Sequence, residues 1–291
     1  MVGRVVREAK QPVARQWVIL HAMTQGGGGP VDSTRTDAAG RFSFNVTKVD
    51  PTANYVVSAE YAGIAHVSEP IVLQGRLAAD FGSIAVYDTT SKGPPIRLSL
   101  RYLNVGAARE DGTHEVFETV ELLNTGTRTR VANDSNPVWA GALPAGVVQW
   151  QVGESDVSAD AVSRRGDTVA VYAPLAPGGS KQLSFAYVTP STMHELHLPV
   201  DQPTDEVLLL VEDTTAAVTA PGLERQPVRD VDGRRYARYR VPAPPPGADV
   251  VVALPPRGFQ ADRLVPWIVG IAAVALVVGL VIALRKPAPG R

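Results

Sequence analysis

The sequence predicts an all-β chain made of tandem β-sandwich domains and completed by one C-terminal transmembrane helix. Glycine and proline, with 26 and 24 residues, punctuate nearly every segment, a composition typical of short strands joined by turns. Within the segments, apolar and polar residues alternate as they do in half-buried strands. Residues 264–284 then form 21 consecutive positions without a charge. At 291 residues the chain exceeds one ordinary sandwich, so two or three domains are expected.

The charge balance and the absence of cysteine exclude several classes of function. Lysine and arginine total 28 against 29 acidic residues, and no block of one sign occurs. A long-range field that would gather nucleic acid is therefore not expected. The chain has no cysteine, which excludes a disulfide framework, a thiolate metal site and a cysteine nucleophile.

The uncharged run is predicted to be a membrane anchor. It extends from Leu264 to Leu284, and 13 of its residues are Leu, Ile or Val. As a helix it would span about 31 Å, with an insertion free energy of roughly −4 to −8 kcal/mol from those side chains. Trp267 stands where an interfacial aromatic is expected, and Arg285 and Lys286 end the run in a short basic tail, residues 285–291. A buried helix of a soluble core is disfavoured by this length and these flanks.

Small residues recur along the predicted span. Ala275, Gly279 and Ala283 are four residues apart and would line one face of the helix. Such spacing lets two membrane helices pack closely, although Ala and Gly are also simply common in spans. These three residues are a candidate helix-packing face.

Residues 1–88 show the alternation of a β domain. Residues 17–20 are predicted to be a strand, residues 26–30 a flexible glycine loop, and residues 36–40 a tight turn with Asp and Gly. After the turn, alternate residues share one face of the predicted strands, namely Phe42, Phe44 and Val46, and later Tyr55, Val57, Ala59 and Tyr61.

These segments resemble the carboxypeptidase regulatory-like domain, a transthyretin-like sandwich with a carbohydrate-binding-like fold. The matching residues are 3–5 (Gly-Arg-Val), 12–14 (Pro-Val-Ala), 36–44 (Thr-Asp-Ala-Ala-Gly-Arg-Phe-Ser-Phe) and 55–63. The resemblance covers under a third of the chain and implies a fold rather than an activity. Because the family is mostly extracytoplasmic, it also implies that the body lies outside the cytoplasm.

The predicted topology is single-pass in the cell membrane, with a cytoplasmic C-terminus. Arg285 and Lys286 follow the span while Arg257 and Arg263 precede it, so the basic bias is small. An outward body would need an export signal, yet residues 1–6 have the pattern of a first strand. Either a signal precedes this start, which we expect from the resemblance, or the chain is tail-anchored and faces the cytoplasm.

Two further β units are predicted before the anchor. Residues 89–190 have a general likeness to immunoglobulin-like sandwiches, with a Pro-rich corner at 174–178 before the last strand. Their alternating residues are Leu98, Leu100 and Tyr102, then Val148, Trp150 and Val152, and finally Leu183, Phe185 and Tyr187. Residues 191–257 contain a similar corner at 244–247. This third unit is short for a sandwich, so it forms a small domain or shares a core with the second.

Motifs that would carry chemistry are missing or incomplete, and neither an enzyme nor a cofactor is expected. His194 and His197 are three apart in a strand context, so a zinc site is disfavoured against a solvated strand end. Residues 230–233 (Asp-Val-Asp-Gly) resemble the start of a calcium loop but lack its later ligands, and they favour a hairpin turn. No Gly-x-Ser-x-Gly elbow is present.

Two functions are therefore considered. The first is a membrane-anchored, extracytoplasmic structural or interaction protein, accessory to a cell-envelope complex, whose partners are the lipid bilayer and another protein. The second is a carbohydrate-binding surface module, which the starch-binding relatives of the resembling family suggest. It would require coplanar surface aromatics, and the candidates are Trp17, Tyr55 and Tyr61.

Overall fold

The computed structural model of the chain describes residues 1–7, 10–76, 78–134 and 136–255. Over these ranges the chain is all-β with several sheets, and it includes a 3₁₀ turn, Ala159–Ala161. The predicted all-β class is thus confirmed. Among the described residues no helix has the length and apolarity needed to cross a bilayer. The predicted span 264–284, its helix-packing face and the tail 285–291 all lie outside the described residues.

The first body contains nine strands that form two sheets around one core. In chain order they are β1 (Val2–Arg7), β2 (Gln11–Pro12), β3 (Trp17–Thr24), β4 (Gly27–Arg35), β5 (Arg41–Ser43), β6 (Asn54–Tyr61), β7 (Ile64–Val67), β8 (Ile71–Val72) and β9 (Asp80–Ala85). Strand β1 pairs with β2, β5 and, in parallel, β9; the second sheet has the order β4-β3-β6-β7, with β8 beside β6. Both sheets contribute side chains to the core, and we call this body the first sandwich.

The turn between β4 and β5 has the conformation that its sequence predicts. The Asp37 carboxylate accepts hydrogen bonds from the backbone N–H groups of Ala39 and Arg41, both at 2.8 Å. Gly40 has a φ of +74°, which is the left-handed region. The following Phe42 and Phe44 are buried in the core, as their alternation predicts.

The glycine run is not the flexible loop that the sequence predicts. Residues 27–30 belong to β4 and pair with residues 21–24 of β3, with a register shift at Leu20 and His21. Glycine is unfavourable in a strand by its own propensity. Here the neighbouring strand supplies the hydrogen bonds, and the missing side chains leave space that a residue of β3 occupies.

The second body contains the remaining strands. They are β10 (Thr89–Thr90), β11 (Arg97–Val105), β12 (His114–Leu123), β13 (Thr129–Arg130), β14 (Trp139–Ala142), β15 (Val148–Val152), β16 (Val162–Arg165), β17 (Thr168–Val171), β18 (Ser180–Thr189), β19 (Glu195–Pro199), β20 (Glu206–Val211), β21 (Val218–Thr219), β22 (Glu224–Val231), β23 (Arg234–Pro242) and β24 (Asp249–Ala253). A seven-stranded sheet has the order β15-β18-β12-β11-β20-β23-β22. Two three-stranded sheets, β14-β17-β16 and β19-β24-β21, share one core with it.

The seven-stranded sheet continues across residue 190, where the sequence places a boundary between two units. Strand β11 pairs in parallel with β20, from Arg101 opposite Val207 to Val105 opposite Val211. A single cluster of buried side chains extends from Ile96 to Leu254. Residues 96–254 therefore have one continuous core.

A register shift in β11 changes which of its residues face the core. The shift lies between Leu98 and Leu100 in the pairing with β12. Leu98 and Leu103 are buried, whereas Leu100 and Tyr102 are only partly buried. The alternation of Leu98, Leu100 and Tyr102 therefore does not place them on one face, because an extra residue reverses the side-chain direction. Arg101 comes to lie inside.

Candidate interaction surface

The outward face of the five-stranded sheet in the first sandwich carries four exposed apolar side chains around a polar pair, His21 and Ser58, whose side chains lie 2.8 Å apart. Alternate residues of β3 point away from the core, so that Trp17, Ile19 and Met23 are 50%, 37% and 49% exposed. Val67 of β7 is 63% exposed, and it lies in the same row as Ile19 because both pair with Ser58 of β6. We call Trp17, Ile19, Met23 and Val67 the apolar stripe. Several exposed apolar side chains on one sheet face are a feature of interaction sites.

The glycines of β4 widen this stripe. Gly28 pairs with Met23, and a Cβ built on Gly28 would collide with the Met23 sulfur. The thioether thus lies across the bare backbone of β4 instead of extending into solvent. A flexible, polarizable side chain on a bare strand adapts readily to the shape of a partner.

One end of the stripe carries an arginine stacked on an aromatic ring. Trp17 pairs with Arg35 across β3 and β4, and the Arg35 guanidinium carbon lies 4.5 Å from the centre of the Trp17 ring. This is a cation–π contact, which keeps the guanidinium plane in place while its N–H groups remain free to donate. The stack joins the stripe to a second surface feature.

That feature is an open groove of about 750 Å³ at the ends of β1, β4, β5 and β9. Its walls include Arg4, Arg35 and Arg41, and we call it the arginine groove. Two aspartates also line it, but their carboxylates accept backbone N–H donors. Asp37 bonds the turn that follows it, and Asp80 accepts from Gly82 at 2.8 Å.

The three aromatic residues proposed for glycan contact do not form one platform. Trp17 is on the surface, but Tyr55 is 1% exposed in the core, where its hydroxyl donates to the backbone oxygen of Asp50 at 3.2 Å. Tyr61 is half-buried, and its hydroxyl donates to Asp88 at 2.9 Å. The prediction of Tyr55 as a glycan contact is wrong, because β6 directs that side chain inward with Val57.

The histidine pair considered for zinc is not part of a metal cluster. His197 Nδ1 lies 2.6 Å from Asp249 Oδ2, and its Nε2 lies 3.5 Å from Glu195. The hydrogen bond to Asp249 raises the pKa of His197 above its usual value. Across the described ranges, no three His, Asp or Glu side chains stand where they could hold a metal ion. The 230–233 segment forms a hairpin turn, with Asp232 and Gly233 at φ of +53° and +76°.

A buried polar network in the second body was not found by sequence reasoning. Arg101 Nε donates to Glu118 at 2.7 Å, Arg101 Nη1 donates to the oxygen of Pro199 at 2.8 Å, and the Tyr187 hydroxyl donates to Glu118 at 3.3 Å. Burial, together with the Glu118 carboxylate, raises the pKa of Tyr187 well above its usual value. Glu118 stands between Val116 and Val120 on the inward positions of β12, which was the available signal. The network lies within the core and fits a structural role.

Comparison with known proteins gives no family for this chain. No family model and no curated protein matches it. Among solved structures, an M1 zinc metallopeptidase from Deinococcus radiodurans aligns with 56% of this chain and 43% of its own, at 12% identity and a TM-score of 0.36. A mutant of that enzyme, alone and bound to a Tyr-Ser-Ala substrate, aligns at 13% identity and a TM-score of 0.35. The chain spans less than half the length of these enzymes, and likeness of this size supports no statement about its activity.

Proposed function

We propose that this chain is a membrane-anchored structural and interaction protein of the cell envelope, and that its first sandwich docks a partner protein. The observation that supports the proposal is the apolar stripe on a sheet whose opposite face already packs on a complete core. These side chains contribute nothing to that core. The proposed role requires no bond chemistry and no cofactor.

The partner is a different protein with an apolar surface bordered by acidic residues. Its apolar part would cover Ile19, Met23 and Val67, because burial removes their exposed apolar surface from water. Its acidic border would meet Arg35, which the Trp17 ring holds at the end of the stripe. A glycan is not proposed as the ligand, because two of its three candidate aromatics are wholly or partly buried.

Site-specific photocrosslinking in the source cells tests the docking surface. The photoreactive residue p-benzoylphenylalanine replaces Ile19 in one full-length variant. In the matched control it replaces Val228, which is also exposed but lies on β22 of the second body. We expect one adduct of constant mass from position 19, lost when Val67→Asp is added, and none from position 228. An adduct of twice the chain's mass, or equal adducts at both positions, would refute docking of a different protein.

The placement of the body is tested separately. Protease is added to intact cells and to spheroplasts, and fragments are detected with an antibody against the first sandwich. An extracytoplasmic body is digested as soon as the protease reaches the membrane surface, while a cytoplasmic control protein stays intact. Full protection of the body until the membrane is lysed would show the opposite, tail-anchored topology.

A further inference from the structure

We propose that the arginine groove binds the side-chain carboxylates of an acidic peptide segment of the partner. This inference rests on the proposed docking function and adds a second contact to it. The apolar stripe supplies burial, while the groove recognises charge. The two surfaces meet at Arg35, which lines the groove and stacks on Trp17 of the stripe.

The groove arginines have hydrogen-bonding capacity to spare. Each guanidinium has five N–H donors. Arg4 uses one on the backbone oxygen of Ala39 at 3.0 Å. Among the described residues, no carboxylate forms an ion pair with Arg4, Arg35 or Arg41. Other exposed arginines, such as Arg109 with Glu115, do form such pairs.

Among the described residues, the acidic residues of the groove keep their negative charge but form no ion pair with its arginines. The Asp37 carboxylate is held by two backbone N–H groups of its own turn, and Asp80 by that of Gly82. One oxygen of each carboxylate is thus bonded to the backbone, and the groove has three guanidinium groups against two carboxylates. A planar guanidinium binds a carboxylate through two parallel hydrogen bonds, which makes Asp and Glu side chains well-matched ligands.

Geometry favours a peptide over a sugar chain. Sugar rings stack on open aromatic faces, but the guanidinium of Arg35 already covers one face of Trp17. The groove, at about 750 Å³, has the volume of a ligand site and is open to solvent. An extended peptide can occupy it and continue on to the apolar stripe, because a peptide sequence can combine acidic and apolar side chains.

Fluorescence anisotropy with a labelled peptide of six glutamates tests the inference on the full-length chain in detergent micelles. We expect saturable binding that weakens between about 50 and about 300 mM salt, since salt screens exposed charges. Arg41→Glu and Arg35→Glu should each weaken it roughly tenfold. Arg229→Glu, which changes an exposed arginine on β22, should leave it unchanged. Circular dichroism checks that each variant is folded.

The outcomes separate the groove from the stripe. If Val67→Asp abolishes the photocrosslink from position 19 but leaves hexaglutamate binding intact, the groove acts independently of the stripe and the inference stands. If the photocrosslink persists while no variant-sensitive hexaglutamate binding is seen, the inference is wrong and the docking function stands. If heparin displaces the peptide and itself binds far more tightly with the same variant dependence, the groove recognises an acidic glycan, and the peptide inference is overturned.

Discussion

At the scale of single residues, the second body contains a buried ion pair between Arg101 and Glu118. When two charged groups are buried, they lose free energy of hydration, and their mutual attraction offsets only part of this loss. The pair is tolerated because both groups are hydrogen-bonded, Arg101 to Glu118 and to the oxygen of Pro199, and Glu118 also to the Tyr187 hydroxyl. Pro199 lies on the covering strand β19, so the pair links two sheets of the core.

We expect Glu118→Ala to lower the free energy of unfolding by about 3–5 kcal/mol, because it leaves the guanidinium buried without its partner. Urea denaturation measures this change. Tyr187→Phe, which removes one neutral donor, should cost only about 1 kcal/mol. The double variant Arg101→Met with Glu118→Leu should recover most of the loss. If it is as unstable as Glu118→Ala, the stranded charge is not the cause.

NMR titration should show pKa values shifted in opposite directions for His197 and His66. The pKa of His197 is raised by its hydrogen bond to Asp249, and the pKa of His66 is lowered by burial. The stability that His197 contributes is therefore full below its unfolded pKa and is lost as the pH rises through the raised folded pKa. The stability that His66 contributes is present above the pKa it has in the unfolded chain. It is lost as the pH falls through its lowered pKa in the folded chain. Asp249→Asn should bring only His197 back toward the usual value.

At the scale of elements, turns were predicted better than strands. The Asp37–Gly40 turn and the Asp232–Gly233 hairpin follow from side chains that bond their own backbone and from glycines that accept positive φ. The strand formed by residues 27–30 was missed, because its pairing with β3 outweighs the poor strand propensity of glycine. The bulge in β11 was also missed, because no local sequence pattern indicates that β11 has one more residue than β12 between Leu98 and Leu100.

Gly40→Ala should destabilise the first sandwich by about 2–4 kcal/mol, from positive φ and from a clash. A Cβ at Gly40 would lie 2.5 Å from the backbone oxygen of Val5, which cannot move without disturbing β1. Gly63 is the matched control, because its φ of +76° is nearly the same and nothing lies near its Cβ position. Gly63→Ala should cost only about 1–2 kcal/mol. Thermal unfolding compares the two, and equal losses would contradict the clash.

At the scale of the whole molecule, the described residues hold two separate hydrophobic cores. One belongs to the first sandwich, and the other extends through residues 96–254. Because the seven-stranded sheet crosses residue 190, strands on both sides of that position should unfold together. Sequence patterns alone left open whether the third predicted unit has its own core.

Hydrogen exchange in the Leu209→Ala variant tests whether the strands on both sides of residue 190 unfold together. Leu209 is fully buried on β20, so its truncation should cost roughly 2–5 kcal/mol. We expect lower protection in β12 and β18 as well as in β24, and unchanged protection in β3 and β6. Val57→Ala, a buried change in the first sandwich, should give the reverse pattern. Loss confined to residues 191–255 after Leu209→Ala would show two independent units.

Local patterns in the sequence were sufficient to predict an all-β body, the main strands and the two Asp-Gly turns, because alternation and turn chemistry depend on near neighbours. They also predict the anchor at 264–284. Only the tertiary structure decided which strands pair, since β11 and β20 are about a hundred residues apart and pairing is chosen by the sheet as a whole. It also decided that Trp17 faces solvent while Tyr55 is buried, although both lie in alternating strands. Alternation separates the two faces of a strand, but only packing of a second sheet determines which face is inside.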